Sequence, residues 1–385
     1  MRFLNTVSRK SNVAAVKMAA VIFMVLTALH GIAQNSFRTG KWGIETNYQI
    51  GPIIKHSKKI KEVPKELSQG FEVSYFRKSL GEKPWMKPLN FPEYGVNFNY
   101  FHFGEAAVFG QAFSLMGYAK FYIVRSKVAN LYARIGGGLG YVTKYYNYET
   151  NPRNNILSGP INMAVQIRLG LEWKLHPQVL LNTAFTFSHF SNSSAKQPNY
   201  GINITAATVG LKVFPKVSPV SYNCVKEMPK KKNEVIIKYS LGLQETYGFN
   251  GPISFTQVGT VCYARYTSFG NKFFGGLTME YYPVVRNFLV YNEIADKKTA
   301  VRKSFTGSVI LGDEILLGRF GMFYGLGIYL FKTPATLTPV YFKVGGNLYY
   351  ARFGKDQRYK MFVGMNVKSH LSVAQYWEVS TGICL

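Results

Sequence analysis

The segment from Phe187 to Asn203 contains the side chains of this sequence that are best placed for nucleophilic chemistry. It reads FSHFSNSSAKQPNYGIN, and His189 precedes Ser191 by two residues. In an extended strand, residues two apart share a face, with Cα atoms roughly 6.5–7 Å apart, so an imidazole that leans along the strand reaches the hydroxyl. A histidine beside a serine combines a general base with a nucleophile, as acyl transfer requires.

The alternation of side chains along the strand predicts which face carries this pair. In the predicted strand 178–191 the odd positions form the more apolar face, and this face includes His189 and Ser191. Hydrocarbon cannot satisfy polar groups, so neither residue belongs on a lipid-facing stripe without a reason. The strand that begins at Tyr200 returns antiparallel and places Asn203 on the same side, where its amide can orient the imidazole. A polar strand end at the level of lipid headgroups is the alternative interpretation.

Long amphipathic strands must position these residues. We predict eight strands before residue 215 and eight after residue 233, because period-2 hydrophobicity recurs between Gly, Pro, Asn and Lys turns. Strands that cross a bilayer need about 9–11 residues, whereas strands of a soluble β-sandwich, the alternative, have about 5–6. The sequence therefore predicts an all-β antiparallel transmembrane barrel. Its first eight strands are predicted near 42–53, 69–79, 92–103, 110–124, 128–142, 159–175, 178–191 and 200–214.

The amino terminus predicts export. Residues 1–33 combine basic residues, an apolar stretch from Met18 to Leu29 and a small-x-small sequence at Gly31–Ala33. This pattern is typical of a secretory signal peptide. The alternative is a membrane anchor, but the apolar stretch is shorter than the roughly 20 residues that a spanning helix needs.

A connector rich in Pro and Lys divides the mature chain. We predict a first barrel unit at 34–215, a linker at 216–233, and a second set of strands at 234–385. The strings LYARIGGGLGY (131–141) and FGMFYGLGIY (320–329) suggest a diverged duplication. Two eight-stranded barrels and one sixteen-stranded barrel both fit this pattern.

The net charge of +27 implies an anionic partner. Export and the lack of a recognised reader motif disfavour nucleic acid as the ligand, and the phosphates of lipopolysaccharide are the better match. The three cysteines, Cys224, Cys262 and Cys384, are scattered, so their spacing indicates neither a disulfide framework nor a metal site.

The stretch from Leu131 to Val213 resembles the PagL-type lipid A 3-O-deacylases and the related acyloxyacyl hydrolases of Bacteroidetes. The resemblance is carried by ARIGGGLGY, by the NPRN turn at 151–154, and above all by HFSN…KQPNYGIN. It implies an eight-stranded barrel of the Gram-negative outer membrane, with a Ser-His-Glu triad on its lipid-facing wall, that removes the acyl chain at the 3-position of lipid A. By position the nucleophile is Ser191 and the base is His189, and no metal or cofactor is required.

The sequence departs from the family at the acidic member of the triad, which falls on Asn203. An amide can hold the imidazole tautomer, but it cannot offset the imidazolium charge as a carboxylate does. The backbone N–H groups near Asn192 and Ser193 are the candidate oxyanion donors. The rival hypothesis is a non-catalytic outer-membrane barrel, a channel or structural protein that retains a PagL-like half.

A second H-x-S pair, His370 and Ser372, has the opposite phase. The apolar positions of the strand that ends at His370 are odd, so His370 and Ser372 fall on its polar face. Because a shift of one residue moves a side chain to the other face of a sheet, we expect this pair to point into the lumen.

Overall fold

The computed structural model describes residues 38–219, 232–245, 251, 253–334, 336, 338–354, 358–370 and 373–385. The predicted signal peptide, most of the predicted linker, Cys224 and Ser372 lie outside the described residues. The chain divides into two compact units, and each contains one closed barrel.

The first barrel is a meander of eight antiparallel strands. Before them, β1 (Arg38–Thr39) pairs with the two-residue strand β10 (Ser218–Pro219). The barrel strands are β2 (Trp42–Gly51), β3 (Ser68–Lys78), β4 (Glu93–His102), β5 (Gln111–Arg125), β6 (Ala129–Val142), β7 (Ile161–His176), β8 (Val179–Ser191) and β9 (Ile202–Val213). Each pairs with the next, and β2 pairs with β9 to close the barrel.

The second barrel has the same eight-stranded meander topology and is closed by pairing of its first and last strands. Its strands are β11 (Asn233–Glu245), β12 (Ile253–Ser268), β13 (Asn271–Tyr281), β14 (Phe305–Leu317), β15 (Phe320–Phe331), β16 (Val340–Phe353), β17 (Tyr359–His370) and β18 (Val373–Cys384). The fold prediction is confirmed, and of the two arrangements that fit the sequence the protein has two separate barrels.

Two short helices, α1 (Pro283–Tyr291) and α2 (Lys297–Lys303), join β13 to β14. The carboxylate of Asp296 caps the second helix by accepting from the backbone N–H groups of Lys298 and Thr299. No helix of the described residues is long and apolar enough to cross a membrane.

The strands of both barrels have apolar exteriors. In β3, Phe71, Val73 and Tyr75 are exposed, while the intervening Glu72 and Ser74 are completely buried. This is the reverse of the polarity of a water-soluble domain, and it is the arrangement that suits a barrel surrounded by lipid. The period-2 pattern of the sequence therefore forms the apolar wall.

Charged residues fill the interior of the first barrel. Glu72 accepts hydrogen bonds from Arg134 at 2.8 Å and, in a bidentate pair, from Arg168 at 3.0 and 3.1 Å. In a neighbouring group, the ammonium of Lys120 lies 2.8 Å from Glu45 and 2.7 Å from Glu172. These side chains are excluded from solvent, so each charge depends on its partners for stabilisation.

The second barrel contains comparable interior ion pairs. Lys272 bridges Glu234 at 2.6 Å and Glu314 at 2.9 Å. In another group, Lys343 lies 3.1 Å from Glu378 and 3.4 Å from Glu280. The lumen of each barrel is thus occupied by a network of charged side chains.

Successive connections of a meander alternate between its two ends, so four connections of the first barrel share one end. They are residues 52–67, 103–110, 143–160 and 192–201. An apolar cluster that includes Ile53, Phe101, Phe103 and Phe190 is buried at this end. The opposite end has connections of two, three and fourteen residues at 177–178, 126–128 and 79–92. The candidate site lies at the end that carries the apolar cluster.

Candidate active site

The candidate site is formed where β8 ends and β9 begins. Phe190 is completely buried and packs edge-to-face against Phe101 and Phe103, with ring centroids 5.9 and 6.0 Å apart. Because neighbouring residues of a strand point to opposite faces, this anchor turns His189 and Ser191 toward the outer wall. Burial of one aromatic side chain therefore sets the direction of both predicted catalytic residues.

His189 and Asn203 are directly opposite each other in the β8–β9 pair. The imidazole Nδ1 lies 2.5 Å from the amide Oδ1. An amide oxygen only accepts, so Nδ1 carries the proton and Nε2 is left with the lone pair. This tautomer is the one a general base needs.

Ser191 lies two residues beyond the histidine and is largely buried. In the β7–β8 pair, Ser191 lies opposite Met163 and His189 lies opposite Val165. The side chains of the serine and the histidine therefore point to the same, outward face of the strand. The hydroxyl accepts a hydrogen bond of 2.8 Å from Nδ2 of Asn199. Asn199 was missed by the sequence reasoning, although it belongs to the quoted PNYG motif.

The structure places Asn192 and Ser193, the candidate oxyanion residues, in the turn after the serine. The backbone N–H of Asn192 donates to Oδ1 of Asn199 at 3.2 Å, and its side-chain amide donates to Ser158 at 3.0 Å. Ser193 has a left-handed backbone, with φ of 49°. Asn199 thus holds the turn through one amide atom and contacts the serine through the other.

Gly201 allows the imidazole to lie close to the backbone. Its φ is +78°, and a Cβ at this position would lie 2.6 Å from Cε1 of His189. Any side chain here would displace the imidazole, and the left-handed conformation also favours glycine. The glycine of the PNYG motif therefore has a direct structural role beside the histidine.

His56 is a further site residue that the sequence did not reveal. It lies in the connection 52–67, far from the motif, and its Nδ1 is 3.0 Å from Nδ2 of Asn203. Its Nε2 is 2.9 Å from the carbonyl oxygen of Tyr200. No local pattern around His56 signals this role, because the contact depends on barrel closure between β2 and β9.

Backbone contacts fix the connection that carries His56. Ile53 forms a bridge with Ile204, and the N–H of Ile54 donates to the carbonyl of Asn203 at 2.8 Å. The side chain of Ile60 is buried in the apolar cluster. These contacts hold His56 on the same edge of the sheet as Asn203.

The NPRN turn quoted from the sequence braces the neighbouring connections. The Asn154 amide donates to the carbonyls of Val108 and Lys144. Arg153 pairs with Glu62 at 2.6 Å and Glu105 at 3.0 Å, and the hydrogen bond that its guanidinium donates to Glu62 raises the pKa of this exposed group. The turn therefore ties together three connections at the end of the barrel that carries the site.

The second histidine motif lies in a different environment. His370 stacks on Tyr329, with Nε2 3.0 Å from the phenol oxygen, and its ring meets the edge of the buried Tyr341. Tyr329 lies between the exposed Ile328 and Leu330 on its strand, and Tyr341 is completely buried, which puts His370 on the interior side of the second barrel.

Three interior carboxylates of the first barrel, Glu45, Glu93 and Glu172, lie within 4.8 Å of one another. Such a cluster can suggest a metal site. Here the ammonium groups of Lys120 and Lys212 contact all three carboxylates, and the guanidinium of Arg168 lies 3.6 Å from Glu45. The cluster is accounted for as an ion-pair network of the lumen.

The fold and the site together define the class of protein, an eight-stranded meander barrel with a histidine, a serine and an amide on its outer wall. Residues 69–212 match the family model described as "Lipid A 3-O-deacylase (PagL)". The resemblance inferred from the sequence motifs is confirmed by this match.

Three solved structures are among those similar to this chain. The outer membrane enzyme PagL is 14% identical with a TM-score of 0.30, over 44% of this chain and 98% of that one. Neisserial surface protein A is 10% identical with a TM-score of 0.29, over 47% and 99%. Omp33 of Acinetobacter baumannii is 6% identical with a TM-score of 0.16, over 91% and 99%. Among curated protein sequences, none matches this chain.

Proposed function

We propose that the first barrel is an outer-membrane esterase that removes an ester-linked acyl chain from lipid A of lipopolysaccharide. The observation that carries the proposal is the His189–Asn203 pair beside Ser191 on an apolar outer wall. A soluble substrate has no access to such a wall in a bilayer, whereas an acyl chain lies along it. The family match over residues 69–212 supports the same substrate.

The reaction uses a serine nucleophile and a histidine base. Nε2 of His189 takes the proton of Ser191, and Oγ attacks the carbonyl carbon of the acyl ester. Collapse of the tetrahedral intermediate breaks the ester bond, and the imidazolium gives its proton to the departing sugar oxygen, which leaves as a hydroxyl. Water, deprotonated by the same imidazole, then hydrolyses the acyl-serine and releases the fatty acid. No metal or cofactor takes part.

Asn199 donates a hydrogen bond to the reacting oxygen. Its Nδ2 lies 2.8 Å from Oγ of Ser191, and its Oδ1 is held by the N–H of Asn192. A donor fixed in this way also reaches the oxyanion that forms beside Oγ in the tetrahedral intermediate. We assign oxyanion stabilisation to Asn199 together with the backbone N–H of Ser193, because the N–H of Asn192 already donates to Oδ1 of Asn199.

Asn203 takes the place of the acidic triad member. It holds the tautomer of His189 but leaves the imidazolium charge without a carboxylate, so the reaction is slower than with an acidic residue. Orientation of the base is retained, and only the charge is missing.

Residues 1–33 serve as a cleaved signal peptide, 34–215 form the deacylase unit, 216–233 link the barrels, and 234–385 form a second barrel of the outer membrane. The chain's charge of +27 suits the anionic phosphates of lipopolysaccharide. The rival channel hypothesis is weakened by the buried ion pairs of the first lumen, such as Glu72 with Arg168, which occupy the path of a solute.

The test is mass spectrometry of lipid A from an outer-membrane host with a defined acylation pattern. Expression of the full chain is expected to reduce the lipid A mass by one ester-linked acyl chain and to release the matching fatty acid. Unchanged lipid A, with the protein folded in the outer membrane, contradicts the proposal.

A further inference from the structure

We propose that His56 is a positioning residue that fixes the orientation of the Asn203 amide and, through it, the tautomer of His189. The inference deepens the proposed deacylase function and rests on it for its kinetic consequences. The chain of hydrogen bonds that links His56, Asn203 and His189 does not depend on that function.

The protonation of His56 follows from its neighbours. Nε2 lies 2.9 Å from the carbonyl oxygen of Tyr200, which only accepts, so Nε2 carries a proton. In a neutral imidazole the lone pair is then on Nδ1, where Nδ2 of Asn203 donates to it at 3.0 Å. The carbonyl of Ile54 is farther from the same nitrogen, at 3.3 Å. The shorter contact assigns Nδ1 as the acceptor.

An amide at position 203 needs a partner that fixes which of its two ends faces His189, and a carboxylate does not. The two ends of an amide have nearly the same shape but opposite roles, so Asn203 can present either Oδ1 or Nδ2 to His189. With Oδ1 toward His189, Nδ1 is the donor and Nε2 is the base. With Nδ2 toward His189, Nδ1 must accept, Nε2 carries the proton, and the base is lost. His56 favours the first orientation because its Nδ1 accepts from Nδ2.

The position of His56 is built into the fold. The backbone N–H of Ile54 donates to the carbonyl of Asn203, and Ile53 forms a bridge with Ile204. The backbone near His56 is therefore paired directly with the backbone at Asn203. His56 thus compensates for the amide at position 203, where the family resemblance implies an acidic residue. A carboxylate offers an acceptor in either orientation and would make the histidine dispensable for this purpose.

The kinetic experiment is a double-mutant cycle with the purified full chain in mixed micelles of detergent and lipopolysaccharide. His56→Ala is expected to lower kcat about tenfold, the value of one hydrogen bond of ordinary strength, with little change in KM. His56→Gln restores much of the rate, because its side-chain oxygen accepts from Asn203. In the isosteric Asn203→Asp background, His56→Ala is expected to cause no loss. An equal loss in both backgrounds overturns the inference.

The matched control is Lys58→Ala, an exposed residue on the same connection, which is expected to leave the rate unchanged. A loss of rate as large as that of His56→Ala would mean that any change in this connection disturbs the site, and would count against a specific role for His56.

A spectroscopic readout separates this inference from the proposed reaction. In protein labelled with ¹⁵N-histidine, with assignment by His189→Gln, the wild type is expected to show His189 protonated on Nδ1. His56→Ala is expected to shift the population toward protonation on Nε2. An unchanged tautomer overturns the inference whatever the activity. A shifted tautomer without deacylation by any variant leaves the inference standing and removes the proposed function.

Discussion

His189 and Asn203 face each other across β8 and β9 with 2.5 Å between Nδ1 and Oδ1, although fourteen residues separate them in the chain. The pairing register of two strands produces this contact, and the absence of a side chain at Gly201 leaves room for the imidazole beside the turn. Substitutions at the pair or at the glycine are therefore expected to change activity, and substitutions in the lumen are expected to change stability.

Removal of either reacting group is expected to abolish deacylation. Ser191→Ala deletes the nucleophile and His189→Ala deletes the base, so each is expected to lower the rate by about 10³-fold or more. Mass spectrometry of lipid A measures the lost acyl chain, and heat-modifiable migration in detergent checks folding. Deacylation by both variants at the rate of the wild type would disprove the assignment.

Restoring a carboxylate at position 203 is expected to raise the rate. Asn203→Asp keeps the shape of the side chain, and Asn203→Glu restores the residue of the family motif. Either carboxylate stabilises the developing imidazolium, which is worth about tenfold or more in serine hydrolases. The measurement is kcat in mixed micelles. A decrease in both variants would show that the site is adapted to the amide.

Gly201→Ala is expected to lower activity. The methyl group would meet Cε1 of His189, and the left-handed backbone adds about 1–2 kcal/mol of strain to a residue with a Cβ. The control is Gly117→Ala on β5, where a Cβ has no neighbour within 4 Å. Both variants are assayed for deacylation and for unfolding by urea. Equal activity of the two would show that Gly201 does not position the imidazole.

Breaking an interior ion pair is expected to destabilise the first barrel far more than breaking a surface pair. Glu72→Ala leaves Arg134 and Arg168 without their buried carboxylate, which costs about 3–5 kcal/mol. Glu82 lies in the connection between β3 and β4 and forms an exposed ion pair with Lys41. Glu82→Ala removes this pair and is expected to lower the free energy of unfolding by less than about 1 kcal/mol. Urea unfolding in vesicles measures both. Similar values for the two variants would contradict the structural role of the lumen network.

His370→Gln is expected to leave deacylation intact. The imidazole contacts Tyr329 and Tyr341 on the interior side of the second barrel, where no acyl chain has access. The same holds for Ser372→Ala, a prediction from the phase of the sequence, since Ser372 lies outside the described residues. Mass spectrometry with Ser191→Ala as the inactive reference is the measurement. Loss of activity in a well-folded His370→Gln protein would place chemistry in the second half.

The sequence by itself determined the strands and the faces of their side chains. Period-2 hydrophobicity is a local property, so the outward phase of His189 and the inward phase of His370 follow from neighbouring residues. The candidate pair could be predicted because its members are two residues apart on one strand. Asn203 could be placed beside them because a short connection leads into the next strand.

Only the tertiary structure decided which distant residues join the site. His56 reaches Asn203 because the barrel closes between β2 and β9, and no local pattern encodes closure. The same holds for the lumen, where Glu72 meets Arg134 and Arg168 from strands 62 and 96 residues away. The choice between two barrels and one also depends on closure. The pairing of the first strand with the last is a non-local contact, and the hydrophobic period of the sequence does not determine it.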